Sequence, residues 1–140
     1  MTRNSYIAHF TPKEFKCKCG CGAGGIAEDL VLWLEALRRA WDGAVIVNSA
    51  MRCVEHNKAV GGAARSRHLI GCAADIRPGD DDFMGFANLV VRMAGTSDEG
   101  WEVITYPEKG FVHVGVPREC ALKLWDRVVL GSGDKKTGRG

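Results

Sequence analysis

The sequence predicts an α+β domain, a small antiparallel sheet packed by two main helices. Three observations predict it. Apolar residues recur at helical spacing over 26–41 and again over 83–94. Short runs at 45–47, 101–106 and 111–116 read as strands, the last two joined by a Pro-Glu-Lys-Gly turn. A chain of 140 residues, 46% hydrophobic and 26% charged, is enough for one domain with one core. That domain is expected over residues 1–130, followed by a flexible, Gly-rich tail over 131–140.

The first 25 residues are expected to be irregular, with one short helix at 12–15 that has Thr11 as N-cap and Pro12 in its first position. Four glycines between Cys19 and Gly25 predict a loop. Ile26, Leu30, Leu34 and Leu37, joined by Trp33 and Trp41, set the first long helix, which Asp42-Gly43 stops. Val45-Ile46-Val47 is short and β-branched, hence a buried strand. A short helix is expected over 54–60, ended by Gly61-Gly62. Ala73, Ala74 and Ile76 fit a strand that carries Asp75 into the core, and Gly71 allows a turn between His68 and Asp75. Asp80 to Asp82 cap a helix whose apolar face is Phe83, Phe86, Ala87, Val90 and Met93, ending at Gly95-Thr96-Ser97. The hairpin follows, then a final helix over 121–130. The four tryptophans read as core or groove-lining residues.

Net charge is only +2, which implies no strong field for nucleic acid or membrane surfaces. No run reaches the roughly 18 apolar residues of a membrane span, so no membrane insertion is expected. Met1 to Tyr6 lacks the apolar region of a secretory signal. Synthesis in a cytosol and a monomeric state are the expectations. Among six cysteines, Cys17, Cys19 and Cys21 form a C-x-C-x-C run, while Cys53, Cys72 and Cys120 are scattered. The run lacks the second ligand pair of common structural zinc sites, so a second metal, a disulfide and reduced thiols all stay open.

His68, Asp75 and His113 carry the chemistry. Two imidazoles and a carboxylate are the three protein ligands of a catalytic zinc site whose fourth position is open to water. Taken singly, His113 reads as a hydrogen-bonded core histidine and Asp75 as a buried cap. Together, with His68 and Asp75 seven residues apart across Gly71 and His113 on a separate apolar strand, they read as a metal site.

The pattern S-x-H-x-x-G-x-A-x-D at Ser66 to Asp75, followed by Phe111-Val112-His113-Val114, resembles the zinc D-Ala-D-Ala carboxypeptidase and endopeptidase family, peptidase family M15. The phage and prophage branch is the most similar. Its opening phrase is matched by His9-Phe10-Thr11-Pro12-Lys13-Glu14-Phe15 and the cysteine run, and its S-G-Y-R phrase by Ser49-Ala50-Met51-Arg52. The resemblance covers about residues 9–116 and implies the fold shared with hedgehog signalling domains. It implies zinc on His68, Asp75 and His113, and a peptidoglycan peptide substrate whose carboxylate Arg52 holds, with Ser66 in support. It further implies action on the cell wall, suited to phage-driven lysis, with release by a holin or carriage on a virion.

A base must take the proton of the attacking water. Glu108, five residues before His113, is the first choice; Glu102 is weaker, because alternation from Trp101 points it away. Relatives carry H-V-D or H-x-H around the last histidine, where this chain has Gly115 and Phe111. These departures keep two other readings open: a catalytically weak zinc-containing wall-binding module and a phage structural protein.

Overall fold

The structure is a computed structural model and describes residues 7–95 and 100–128. The predicted tail and the N-terminal six residues lie outside that range. Among the described residues, six strands and three α-helices run in the order β1 (Gly24–Ala27), α1 (Glu28–Ala40), β2 (Val45–Ser49), α2 (Val54–Ala59), β3 (Ala73–Pro78), α3 (Phe83–Gly95), β4 (Glu102–Tyr106), β5 (Phe111–Gly115) and β6 (Leu124–Val128). Short 3-10 turns occupy Pro12–Phe15, Arg67–Ile70 and Arg118–Leu122.

The main sheet is antiparallel, in the order β2-β3-β5-β4. Its inner face is apolar. Val45 and Val47 of β2, Ala74 and Ile76 of β3, and Val112 and Val114 of β5 are buried; α3 packs against β3 and β5, and α1 shares the same core. Period-2 alternation then sends Asp75 and His113 to the other face. Leu30, Val31, Leu34 and Leu37 of α1 are fully buried, as are Phe86 and Val90 of α3. Asp82 caps α3 by accepting the Gly85 N–H at 3.0 Å, as its place before the apolar run predicts.

Two expectations about the ends fail. The expected helix over 121–130 is a 3-10 turn at Arg118–Leu122 followed by strand β6; residues 129 and 130 lie outside the described range. The start of the predicted helix at 26 is also part of a strand, because Gly24–Ala27 pairs antiparallel with β6. This second, two-stranded sheet joins segments about 100 residues apart. Trp125 drives the pairing: it is buried and meets the Phe15 ring edge-on at 6.0 Å. Burying a large aromatic surface outweighs the local helical preference of Ala121 to Val128.

The N-terminal segment is held by Glu35, a carboxylate buried on α1. It accepts the backbone N–H groups of Ala8 and His9 at 3.1 and 3.0 Å and contacts His9 Nδ1 at 2.6 Å and Arg39 Nε at 2.9 Å. Burial works to raise the Glu35 carboxyl, but these donors hold it below the ordinary value.

Candidate metal centre and groove

Asp75 and His113 are directly opposite each other on β3 and β5. Opposed residues of an antiparallel pair share a face, so the sheet register alone brings these two donors together. His68 arrives differently. It sits in the 3-10 turn Arg67–Ile70, just before the turn that Gly71 allows. Ser66 caps the 3-10 turn, accepting the His68 N–H at 3.2 Å. Gly71 closes it at φ 74, and a Cβ there would meet the Gly25 carbonyl oxygen at 2.8 Å. Only glycine meets both demands.

The three donors converge on one point. His68 Nε2 lies 3.2 Å and His113 Nδ1 3.0 Å from the same Asp75 Oδ1. A tetrahedral ion with bonds of about 2.0–2.1 Å sets ligand–ligand edges of about 3.3 Å, so the donor set fits zinc. The outer ring nitrogens have partners too. His68 Nδ1 is 2.7 Å from the Ala50 carbonyl. A carbonyl only accepts, so Nδ1 carries the proton and Nε2 is left as the inward lone pair. His113 Nε2 is 3.0 Å from Glu102 Oε1, which fixes that ring in the same way. Such outer partners orient metal-binding histidines and raise their basicity.

Electrostatics follow the geometry. With no metal between them, burial works to raise Asp75, but the inward ring nitrogens of His113 and His68, when they carry protons, donate to it and with their charge hold its carboxyl at about 2. Burial works to lower His113, but Asp75 and Glu102 raise it above the ordinary imidazole value.

The site opens into a groove of about 430 Å³. Arg52, Arg65, Arg67, Lys109 and Arg118 line it, with Asp75 and Glu102 as its two carboxylates among the described residues. Arg52 has its guanidinium in a fixed frame: Ser49 Oγ at 3.1 Å, Asn57 Oδ1 at 3.1 Å and Asp75 Oδ2 at 3.2 Å. The frame needs a bare Gly62, where a Cβ would fall 2.9 Å from Arg52 Nη1 and 2.2 Å from Asn57 Oδ1. Tyr106 stacks on Phe111 at 4.7 Å along the groove.

The structure thus brings His68, Asp75, His113, Arg52 and Ser66 into one groove. It places Glu108 in the turn between β4 and β5, outside the groove lining. Glu102, by contrast, faces the groove from β4, directly opposite Gly115. A Cβ at residue 115 would meet Glu102 Oε1 at 2.8 Å, so the glycine makes room for this carboxylate. Counting alternation back across the hairpin from His113, through Ile104, finds Glu102 on the groove face; counting from Trp101 misled. None of the four tryptophans lines the groove. Trp33 packs on Trp101 and Trp41 on Phe86 instead.

Comparison with known proteins agrees with this geometry. A family model described as Peptidase M15 matches residues 8–115, most of the chain.

The chain belongs to the peptidase M15 family.

It is also similar to a zinc D-Ala-D-Ala carboxypeptidase of Streptomyces albus G, with 42% identity over 60 residues. That match covers 41% of this chain and 24% of the relative. The matched range includes the His-Asp-His donor set and the arginine beside it.

Proposed function

We propose that this M15 peptidase uses one zinc ion to hydrolyse peptidoglycan stem peptides at a bond involving a D-amino acid, as a carboxypeptidase or an endopeptidase. The observation that carries the reading is the convergence of His68, Asp75 and His113 at the floor of a basic groove. When bound, zinc supplies an acidified water and polarises the scissile carbonyl.

The residues around it have separate tasks. Arg52 holds the substrate carboxylate, which a guanidinium pairs bidentately. Its three-point frame orients it before substrate arrives. Ser66 keeps His68 in place through the turn cap and acts as a positioning residue. Glu102 takes the acid–base role in place of Glu108, since it is the groove carboxylate not committed as a ligand. It also fixes the His113 ring. Arg65, Lys109 and Arg118 add positive charge along the groove for an anionic peptide.

The protein acts on the cell wall as a monomer in this reading, and suits phage-driven lysis or wall penetration. No described helix is long and apolar enough to cross a membrane. One observation favours a second reading. Gly115 and Phe111 stand where the family resemblance implies polar residues, which suits a zinc-containing wall-binding module with weak turnover.

Digestion of purified peptidoglycan separates the two. Zinc-loaded protein should release fragments cut at one peptide bond, identified by mass, and His113→Ala should release none. Well-folded, zinc-bound protein that binds wall but releases nothing would establish the module instead.

A further inference from the structure

We propose a second metal site in this protein, a closed tetrathiolate zinc site formed by Cys17, Cys19, Cys21 and Cys53. The sulfurs of these four residues all lie within 4.8 Å of one another. Cys17 Sγ is 3.4 Å from Cys19 Sγ and 3.8 Å from Cys53 Sγ, and Cys19 and Cys53 are 3.7 Å apart. Zinc–sulfur bonds of about 2.3 Å in a tetrahedron set sulfur–sulfur edges of about 3.8 Å. A disulfide needs about 2.05 Å and pairs only two sulfurs. Three sulfurs 3.4 to 3.8 Å apart with a fourth within 4.8 Å are the outline of a tetrahedron, not of two bridges.

The backbone around the sulfurs is arranged for thiolates. Three amides point at them: Cys53 N–H to Cys17 Sγ at 3.4 Å, His56 N–H to Cys53 Sγ at 3.3 Å and Ala23 N–H to Cys21 Sγ at 3.5 Å. Amide donors favour the charged form of the group they face. The chain turns tightly between ligands, with Gly20 at φ 88, a conformation that glycine adopts freely. Cys17 N–H to Ala23 O at 2.8 Å closes the loop at its base. Four sulfur donors with no open position describe a structural site, and soft thiolate ligands select zinc.

The site has a consequence for the groove. Cys53 directly follows Arg52, and Met51 N–H bonds the Phe15 carbonyl at 3.2 Å. A metal shared by Cys17, Cys19, Cys21 and Cys53 ties the N-terminal loop to the segment that presents Arg52. Zinc here steadies the arginine without touching substrate.

Metal counting tests this independently of catalysis. Full-length protein is saturated with zinc, desalted and analysed by mass spectrometry for metal. The expected result is two zinc ions per chain in wild type, one in His113→Ala and one in Cys53→Ser. Cobalt in place of zinc should give sulfur-to-cobalt charge-transfer absorption that persists in His113→Ala and is absent in Cys53→Ser. If Cys53→Ser fails to fold, a mercurial titration of intact wild type should release one zinc while the second stays bound until a chelator is added. A single zinc per chain that persists in His113→Ala with the thiolate absorption would support this site and sink the groove site. A single zinc that is lost in His113→Ala, no thiolate–cobalt absorption, or an intact mass showing disulfides among these four cysteines would overturn the proposal.

Discussion

The two donor clusters of this protein are built in opposite ways. In the groove, two of three donors face each other across β3 and β5, so the register of a buried sheet fixes their spacing. The third hangs on a capped turn. In the cysteine cluster every donor lies outside the sheets, on an N-terminal loop and at the start of α2, and the loop's own turns aim the sulfurs. Three donors beside an open groove leave room for water and substrate; four donors that enclose a point leave none. The difference teaches that donor count and backing together decide what a metal does. A rigid sheet holds an incomplete shell without help, whereas a loop needs a full shell to be held itself.

The largest break comes from the shared donor geometry of the groove. His113→Ala should reduce peptide hydrolysis below detection while leaving the cysteine cluster's metal in place, as fragment release and metal content will show. Gly71→Ala should follow. It forces a positive φ on alanine and a clash with the Gly25 carbonyl, so denaturant unfolding should show a loss of about 2 kcal/mol or more. That change acts on His68 through its turn and should leave the cysteine loop intact.

Glu102→Gln should cut kcat/KM about ten- to a hundredfold, because it weakens the partner of His113 and removes the groove carboxylate. Glu108→Gln should stay near wild type. Equal losses in both would return the acid–base role to the hairpin turn.

pH should separate folding from metal binding. Asp75 is held at about 2, so its contribution to the metal-free fold is present above the ordinary value of 3.8 and fades as pH falls through about 2. His113 is raised, so its contribution is full below the ordinary 6.5 and fades as pH rises through its higher folded value. The metal-free groove is therefore most favourable between 3.8 and 6.5. Zinc needs His113 unprotonated, so groove affinity should instead rise with pH, by up to about tenfold per unit below the His113 value. Chelator competition across pH on wild type reads that slope, with His113→Ala giving the background from the cysteine cluster. The smallest effect should come from Ser66→Ala, about 1 kcal/mol for a lost cap, seen as a modest fall in thermal stability with His68 still able to bind.

The helices over 28–40 and 83–95 and the strands of the main sheet were legible because each follows a local period: 3.6 for Leu30, Leu34 and Leu37, and 2 for Val112, His113 and Val114. The second sheet was not. Ala121 to Val128 has no strong period of its own, and it becomes a strand only because Gly24–Ala27 offers an edge and Phe15 a place for Trp125.

The same division runs through the sites. His68, Asp75 and His113 were visible because their residue types sit in a compact pattern around Gly71 and an apolar strand, and Arg52 because Ser49-Ala50-Met51-Arg52 matches a phrase of the resembled family. By itself the sequence determined the two long helices, the strands of the main sheet, the α+β class and the identity of the groove's candidate donors, since those depend on neighbours along the chain. Only the tertiary structure decided that Glu102 rather than Glu108 faces the groove, because cross-strand register sets that. Only it brought Cys53 to Cys17, 36 residues away, because a fourth donor that completes a shell is chosen by proximity in space, and spacing along the chain carries no record of it.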